Sequence, residues 1–166
     1  MLKRFGTLGL ISVAALALAQ GVVLMGAQGR GMALSEDHRR AEFRVDVRKL
    51  TSEPARLGGN FHVAINGPDA RPVQIELREL RGLQVGGEHR NVCEFGGPAV
   101  MTVRTPSGPQ RFQGTLHVRA ADNDRHGDHD RPDTLALEFT RPESDDTYRF
   151  AGAVRDGNIN VYIRNP

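Results

Sequence analysis

From Phe43 onward, apolar and polar side chains alternate with a period of two, and no other feature of the sequence limits the fold as much. Phe43, Val45 and Val47 fall on one side of an extended segment while Arg44, Asp46 and Arg48 fall on the other, the pattern of a strand with one buried face. The spacing returns at Phe61, Val63, Ile65; at Val73, Ile75, Leu77; less cleanly from Val100 to Val103; and at Phe112, Gly114, Leu116, Val118, Ala120. It closes with Leu135, Leu137, Phe139; then Tyr148, Phe150; then Ile159, Val161, Ile163. Turn-forming clusters separate these runs: Gly58-Gly59, Asn66 to Asp69, Gly86-Gly87, Gly96 to Pro98, Pro106 to Pro109 and Asp156 to Asn158. After Met25 no window of eleven or more residues carries an apolar stripe at helical spacing, so nothing is on hand to cover a parallel sheet. The chain therefore reads as all-β, an antiparallel sandwich or barrel of about eight or nine short strands over residues 41–166, with the β-sandwich preferred.

The N-terminus has a different character. Lys3 and Arg4 precede an uncharged run from Phe5 to Met25, the order of a secretory n-region and h-region, and Ala17 and Ala19 put small residues where a signal peptidase inspects the chain. The expected hydrophobic signal helix is residues 1–19, cleaved before Gln20; the other reading is an uncleaved membrane anchor over residues 5–25. Under either reading the two basic residues stay inside and the remainder is extracytoplasmic, in a periplasm, at an envelope or secreted. Residues 20–40, with Gly21, Gly26, Gly29 and Gly31 and no sustained period, read as a flexible lead-in.

Removal of the presequence takes away two of the 22 basic residues and none of the 20 acidic ones, so the mature part is balanced and no nucleic-acid partner is expected. Arg39, Arg40, Arg44 and Arg48 alternate with Glu36, Asp37, Glu42 and Asp46, a solvated strand face. The single cysteine, Cys93, excludes an internal disulfide and reads as a small buried residue sharing a face with Phe95. A short internal echo places Gly114 two residues after Phe112 and Gly152 two after Phe150, consistent with a bulge or with room made for a ring from the neighbouring strand.

The segment from Asp122 to Asp133 is the most suggestive of chemistry. Asp122, Asp124, Asp130 and Asp133 stand at the first, third, ninth and twelfth places with Gly127 at the sixth, the spacing by which a calcium loop folds oxygen donors onto one point. His126 at the fifth place and the strand flanks depart from that pattern. His126 and His129 with Asp128 and the other carboxylates suit Zn²⁺ or Cu²⁺ instead, and the simplest reading is an exposed acidic hairpin loop balanced by Arg125 and Arg131. Glu76 and Glu138 offer a carboxylate pair of the kind glycosidases use. No serine lies in a nucleophile elbow, His62 and His117 alternate outward, and there is no Trp to form a sugar platform.

The run from Phe112 to Ile163 carries Phe-x-Gly-x-Leu-x-Val, then Ala121-Asp122-Asn123, a polar loop, Pro132-Asp133-Thr134-Leu-x-Leu, Tyr148-x-Phe and Asp156-Gly157-Asn158-Ile159-x-Val. It resembles the post-COAP type of β-rich domain found in exported bacterial proteins, with weaker similarity from Val73 to Phe95, although the long charged loop after Asp122 departs from that type. The resemblance implies export and a β-rich fold and carries no activity. The expectation is an exported, non-catalytic domain acting in the cell envelope through another envelope or surface protein. The other class is an extracytoplasmic hydrolase, metal-dependent or built on paired carboxylates.

Overall fold

The computed structural model describes residues 22–52, 54–123, 131–144 and 146–165. Nine strands follow in order: β1 (Leu24–Leu34), β2 (Arg40–Leu50), β3 (Arg56–Asn66), β4 (Val73–Leu77), β5 (Gly82–Gly86), β6 (Val92–Thr105), β7 (Gly108–Ala121), β8 (Thr134–Thr140) and β9 (Thr147–Arg164). Each pairs antiparallel with its sequence neighbour except where β4 and β5 lie end to end along β6, and β1 pairs with β9. With β4 and β5 counted as one broken strand, the sheet closes into an eight-stranded up-and-down barrel. The all-β expectation holds and the open sandwich does not. A sandwich and a barrel share the same alternation of buried and exposed residues; the two differ only in whether the last strand finds the first, and closure leaves few edges unpaired.

The lead-in assigned to residues 20–40 is also corrected, because β1 sits between β2 and β9 and makes the closing seam. Its glycines hid it. Inward positions that carry Val or Phe on other strands are Ala27, Gly29, Gly31 and Ala33 here, so no apolar rhythm was visible. Leu24 and Met25, the last residues of the alternative anchor, belong to this strand as well, while residues 1–19 lie outside the described residues.

Three of the glycine clusters read as turns are bends inside strands. Gly58 and Gly59 lie in β3, Gly96 to Pro98 in β6, and Asp156 to Asn158 in β9. At Gly97 an added Cβ would stand 2.1 Å from the carbonyl oxygen of Glu79, where residues 78–81 bulge out between β4 and β5 and remain tied to β6 through Arg78 N–H to Pro98 O (2.8 Å) and Arg81 N–H to Gly96 O (2.9 Å). In β9 the bulge falls at Arg155: Met32 faces Asp156 while Ala33, next in line, faces Val154. Glycines and bulges of this kind supply the curvature that closes a small barrel.

Large side chains pack the interior. Phe61, Phe95, Phe139 and Phe150 are fully buried with Ile65, Ile75, Leu116, Leu135 and Ile159, and Phe61 meets Phe95 edge to face at 5.5 Å. Each such side chain contributes about 1.5–3 kcal/mol on leaving water. The glycine echo is room for a ring from the neighbouring strand only at Gly114, where a Cβ would lie 2.6 Å from Phe139 Cζ on β8; at Gly152 the Leu34 backbone stands nearest (2.8 Å) and the ring at 2.9 Å is Phe150 of the same strand. Cys93 is buried in this core beside Phe95 on the inward face, as its position in the run of residues 91–95 implied. Burial pushes its thiol pKa up to about 12, with the Glu94 charge adding to the effect.

Candidate functional site

The acidic segment after β7 divides into two parts. Asp122 and Asp133, the first and twelfth of the candidate cation ligands, are only 4% and 6% exposed and lie against the barrel wall. β8 begins at Thr134, opposite Ala153, so among the described residues the far half of β9 runs on without a strand on that side. The two carboxylates take the missing strand's place. Asp133 accepts from the Ile159 N–H through Oδ2 (2.8 Å) and from the Asn123 N–H through Oδ1 (2.8 Å), and Asp122 accepts from the Val161 N–H through Oδ2 (3.1 Å). Asn91, just before β6, holds the same end, donating its side-chain amide to Asp122 O (3.1 Å) while its backbone carbonyl accepts the Asp122 N–H (2.9 Å). Hydrogen bonds to backbone donors offset the cost of taking a carboxylate out of water. These two residues therefore complete a ladder, and their sequence spacing reports the width of the gap they bridge. Asp124, His126, Asp128, His129 and Asp130 lie outside the described residues, and among the described residues no group of three or more His, Cys, Asp or Glu is placed to hold a metal.

The carboxylate pair is not brought together. Glu76 on β4 and Glu138 on β8 are separated by β6 and β7, three inter-strand spacings or about 14 Å around the wall, beyond the reach of either glycosidase geometry. Each is engaged locally, Glu76 with Arg78 (3.2 Å) and Glu138 with Arg149 (2.9 Å). His62 and His117 are exposed on outward positions, as the alternation implied.

At the β1–β2 hairpin, a clasp joins residues distant in sequence. The Ser35 hydroxyl accepts from the Arg39 N–H (3.0 Å) and donates to Asp37, whose other oxygen accepts from Arg39 Nε (2.7 Å). The Ser35 hydroxyl holds the Asp37 carboxyl below its ordinary range against an opposing desolvation, with Arg39 adding to the lowering. Arg39 then reaches β9, donating to Arg149 O (2.8 Å) and lying over the rings of Tyr148 (5.7 Å) and Phe150 (5.6 Å). Burial pushes the Tyr148 phenol up, opposed by Arg39. This is a structural lock on barrel closure.

The outer wall carries the charges. Opposite charges face each other across strands at Glu94 and Arg119 and at Glu138 and Arg149, and both pairs are in ion-pair contact. Among the paired strand positions, like charges face each other only at Arg30 on β1 and Arg44 on β2. Both guanidiniums are exposed, and among the described residues neither has an ion pair or hydrogen bond. The row continues with His62 opposite Arg44 on β3 and Asn158 opposite Arg30 on β9. Beneath lies a hollow of about 610 Å³ lined by Gln28, Gly29, Arg30, Arg44, Asn158 and Asn160 among others, and a second of about 640 Å³ adjoins it, sharing Arg30, Arg44 and Gly157. The floor is backbone: a Cβ at Gly29, Gly31 or Gly157 would lie 2.2, 2.2 or 2.1 Å from a carbonyl oxygen of the paired strand. Sequence reasoning missed Arg30 because it lay in a segment without rhythm, and it read Arg44 only as part of a solvated face.

Comparison with protein-family models, with curated proteins and with solved structures finds no match to this chain.

Proposed function

We propose that this chain is exported and serves outside the cytoplasm as a non-catalytic binding barrel of the cell envelope, recognising its partner with the outer wall. The filled interior carries the reading. Phe61, Phe95, Phe139 and Phe150 occupy the space where ligand-carrying barrels of this size hold a small molecule, so contact with a partner falls to the outside. That outside is charged, with Glu42, Arg44, Asp46 and Arg48 on consecutive outward positions of β2, the opposite of the apolar band a lipid-facing barrel presents. No helix among the described residues is long and apolar enough to cross a membrane. The order of charge and apolar residues before Gln20, together with the post-COAP resemblance, supports export.

Fractionation of cells expressing the full chain, with N-terminal sequencing of the product, tests the reading. An extracytoplasmic product beginning at Gln20, which cross-links to an envelope component, is expected. A full-length product confined to the cytosol overturns it.

A further inference from the structure

We infer that Arg30 and Arg44 form a binding site for a compact phosphate-type oxyanion on the outer wall, the point at which the proposed envelope barrel grips its partner. Two arginines on directly opposed strand positions have Cβ atoms about 4.5–5.5 Å apart, an arrangement in which like charges are destabilising. Elsewhere on the wall the chain places an acid beside an arginine, as in Arg40 with Glu42 (3.0 Å), Arg78 with Glu76 (3.2 Å), Arg81 with Glu79 (3.0 Å) and Arg149 with Glu138 (2.9 Å). At this row Glu42 and Asp46 stand two residues from Arg44 on the same strand face, yet among the described residues neither Arg44 nor Arg30 is in ion-pair contact. Each guanidinium presents a planar fork of N–H donors matched to phosphate oxygens, and a phosphate placed between the two forks turns the repulsion into two attractions.

The surroundings fit the same chemistry. His62 and the Asn158 amide extend the row with further N–H donors, one on each side. The backbone of Gly29, Gly31 and Gly157 floors the hollow, and β1 and β9 approach too closely there for any other residue. Asp46 lies in the row on one side of the arginines and Asp156 in the row on the other, while Glu42 is engaged by Arg40. The flanking acids confine the positive potential to one spot. The site therefore suits a single phosphate group, free or carried on a lipid headgroup or surface polymer, and does not suit a continuous polyanion such as nucleic acid.

The test uses the folded chain with inorganic phosphate, and in parallel with vesicles of phosphatidylglycerol against vesicles of phosphatidylcholine, at constant ionic strength. Phosphate is expected to raise Tm by mass action, with the response weakened at least tenfold in Arg30→Gln and in Arg44→Gln and retained in Arg149→Gln, whose arginine sits elsewhere on the wall. Co-sedimentation with phosphatidylglycerol vesicles but not phosphatidylcholine, lost in the same two variants, assigns a lipid-borne phosphate; a phosphate response without it assigns a free or polymer-borne group. In phosphate-free buffer the double variant is expected to melt no lower than the parent, because the substitution removes a repulsion. No response to either probe, equal responses in parent and variants, or a double variant that melts well below the parent would overturn the site. Phosphate binding by a chain that fractionates in the cytosol would refute the envelope reading and leave the site standing.

Discussion

β9 is one strand held in two ways. From Thr147 to Ala153 it lies between β1 or the Arg39 clasp on one side and β8 on the other, in a regular ladder over a ring-filled core. Past the bulge at Arg155 it keeps β1 but loses β8, and the carboxylates of Asp122 and Asp133 accept the amides that a strand would have taken. Both halves bury apolar side chains, Phe150 in the first and Ile159 and Val161 in the second, but only the second also relies on two charged groups taken out of water, so the two halves should respond differently to substitution.

Removing the ring in the first half is the largest perturbation. Phe150→Ala is expected to cost about 3–5 kcal/mol in chemical denaturation, because it empties a site 2% exposed at the centre of the barrel. A loss below about 1 kcal/mol would mean that the core does not hold this half.

Alkaline pH probes the carboxylate-bearing end without touching the carboxylates' charge. The Cys93 thiol, next to the β6–β7 end where Asp122 sits, is neutral in the fold up to about 12 but ionises near 9.0 when unfolded. A raised folded value means stability is whole below pH 9 and is lost as pH climbs toward 12, by up to about 4 kcal/mol. Tyr148 and Tyr162, both pushed up by burial, add losses of the same sign beginning near 10.0. Comparing urea midpoints of the parent and Cys93→Ala across this range isolates the thiol: the parent's curve should fall more steeply, and parallel curves would remove Cys93 from the account.

In the second half, Asp133→Ala leaves the Ile159 and Asn123 amides without their acceptor and should cost about 2–3 kcal/mol. Amide hydrogen exchange sharpens the comparison, since Ile159 should lose protection in this variant while Phe150 keeps it. Equal loss at both would show that the halves of β9 unfold as one unit. Glu138→Gln, which breaks only the exposed pair with Arg149 in the first half, should move stability by no more than about 0.5 kcal/mol.

The legibility of the chain followed its side chains. β2, β4, β7 and β8 were visible because Val, Ile, Leu and Phe mark most inward positions, and Cys93 could be placed from its neighbours alone. β1 was invisible because glycine and alanine stand at its inward positions, and β9 looked like two strands because a bulge with Gly157 at φ 89° resembles a turn. At the candidate sites, the spacing of Asp122 and Asp133 was read as ligand geometry when two of those carboxylates serve the backbone of a strand 26 and 39 residues further on. Glu76 and Glu138 were a pair only on paper.

The alternation of greasy and charged residues was enough, alone, to require half-buried strands and to exclude helices after Met25, because period two is a local property of each strand. Whether those strands stack as two sheets or curl until β1 meets β9, and whether Arg30 comes to face Arg44, depends on pairings between distant segments. Only the tertiary structure decided those, because register and closure are settled by which backbone edges find each other and by where glycine lets the sheet bend.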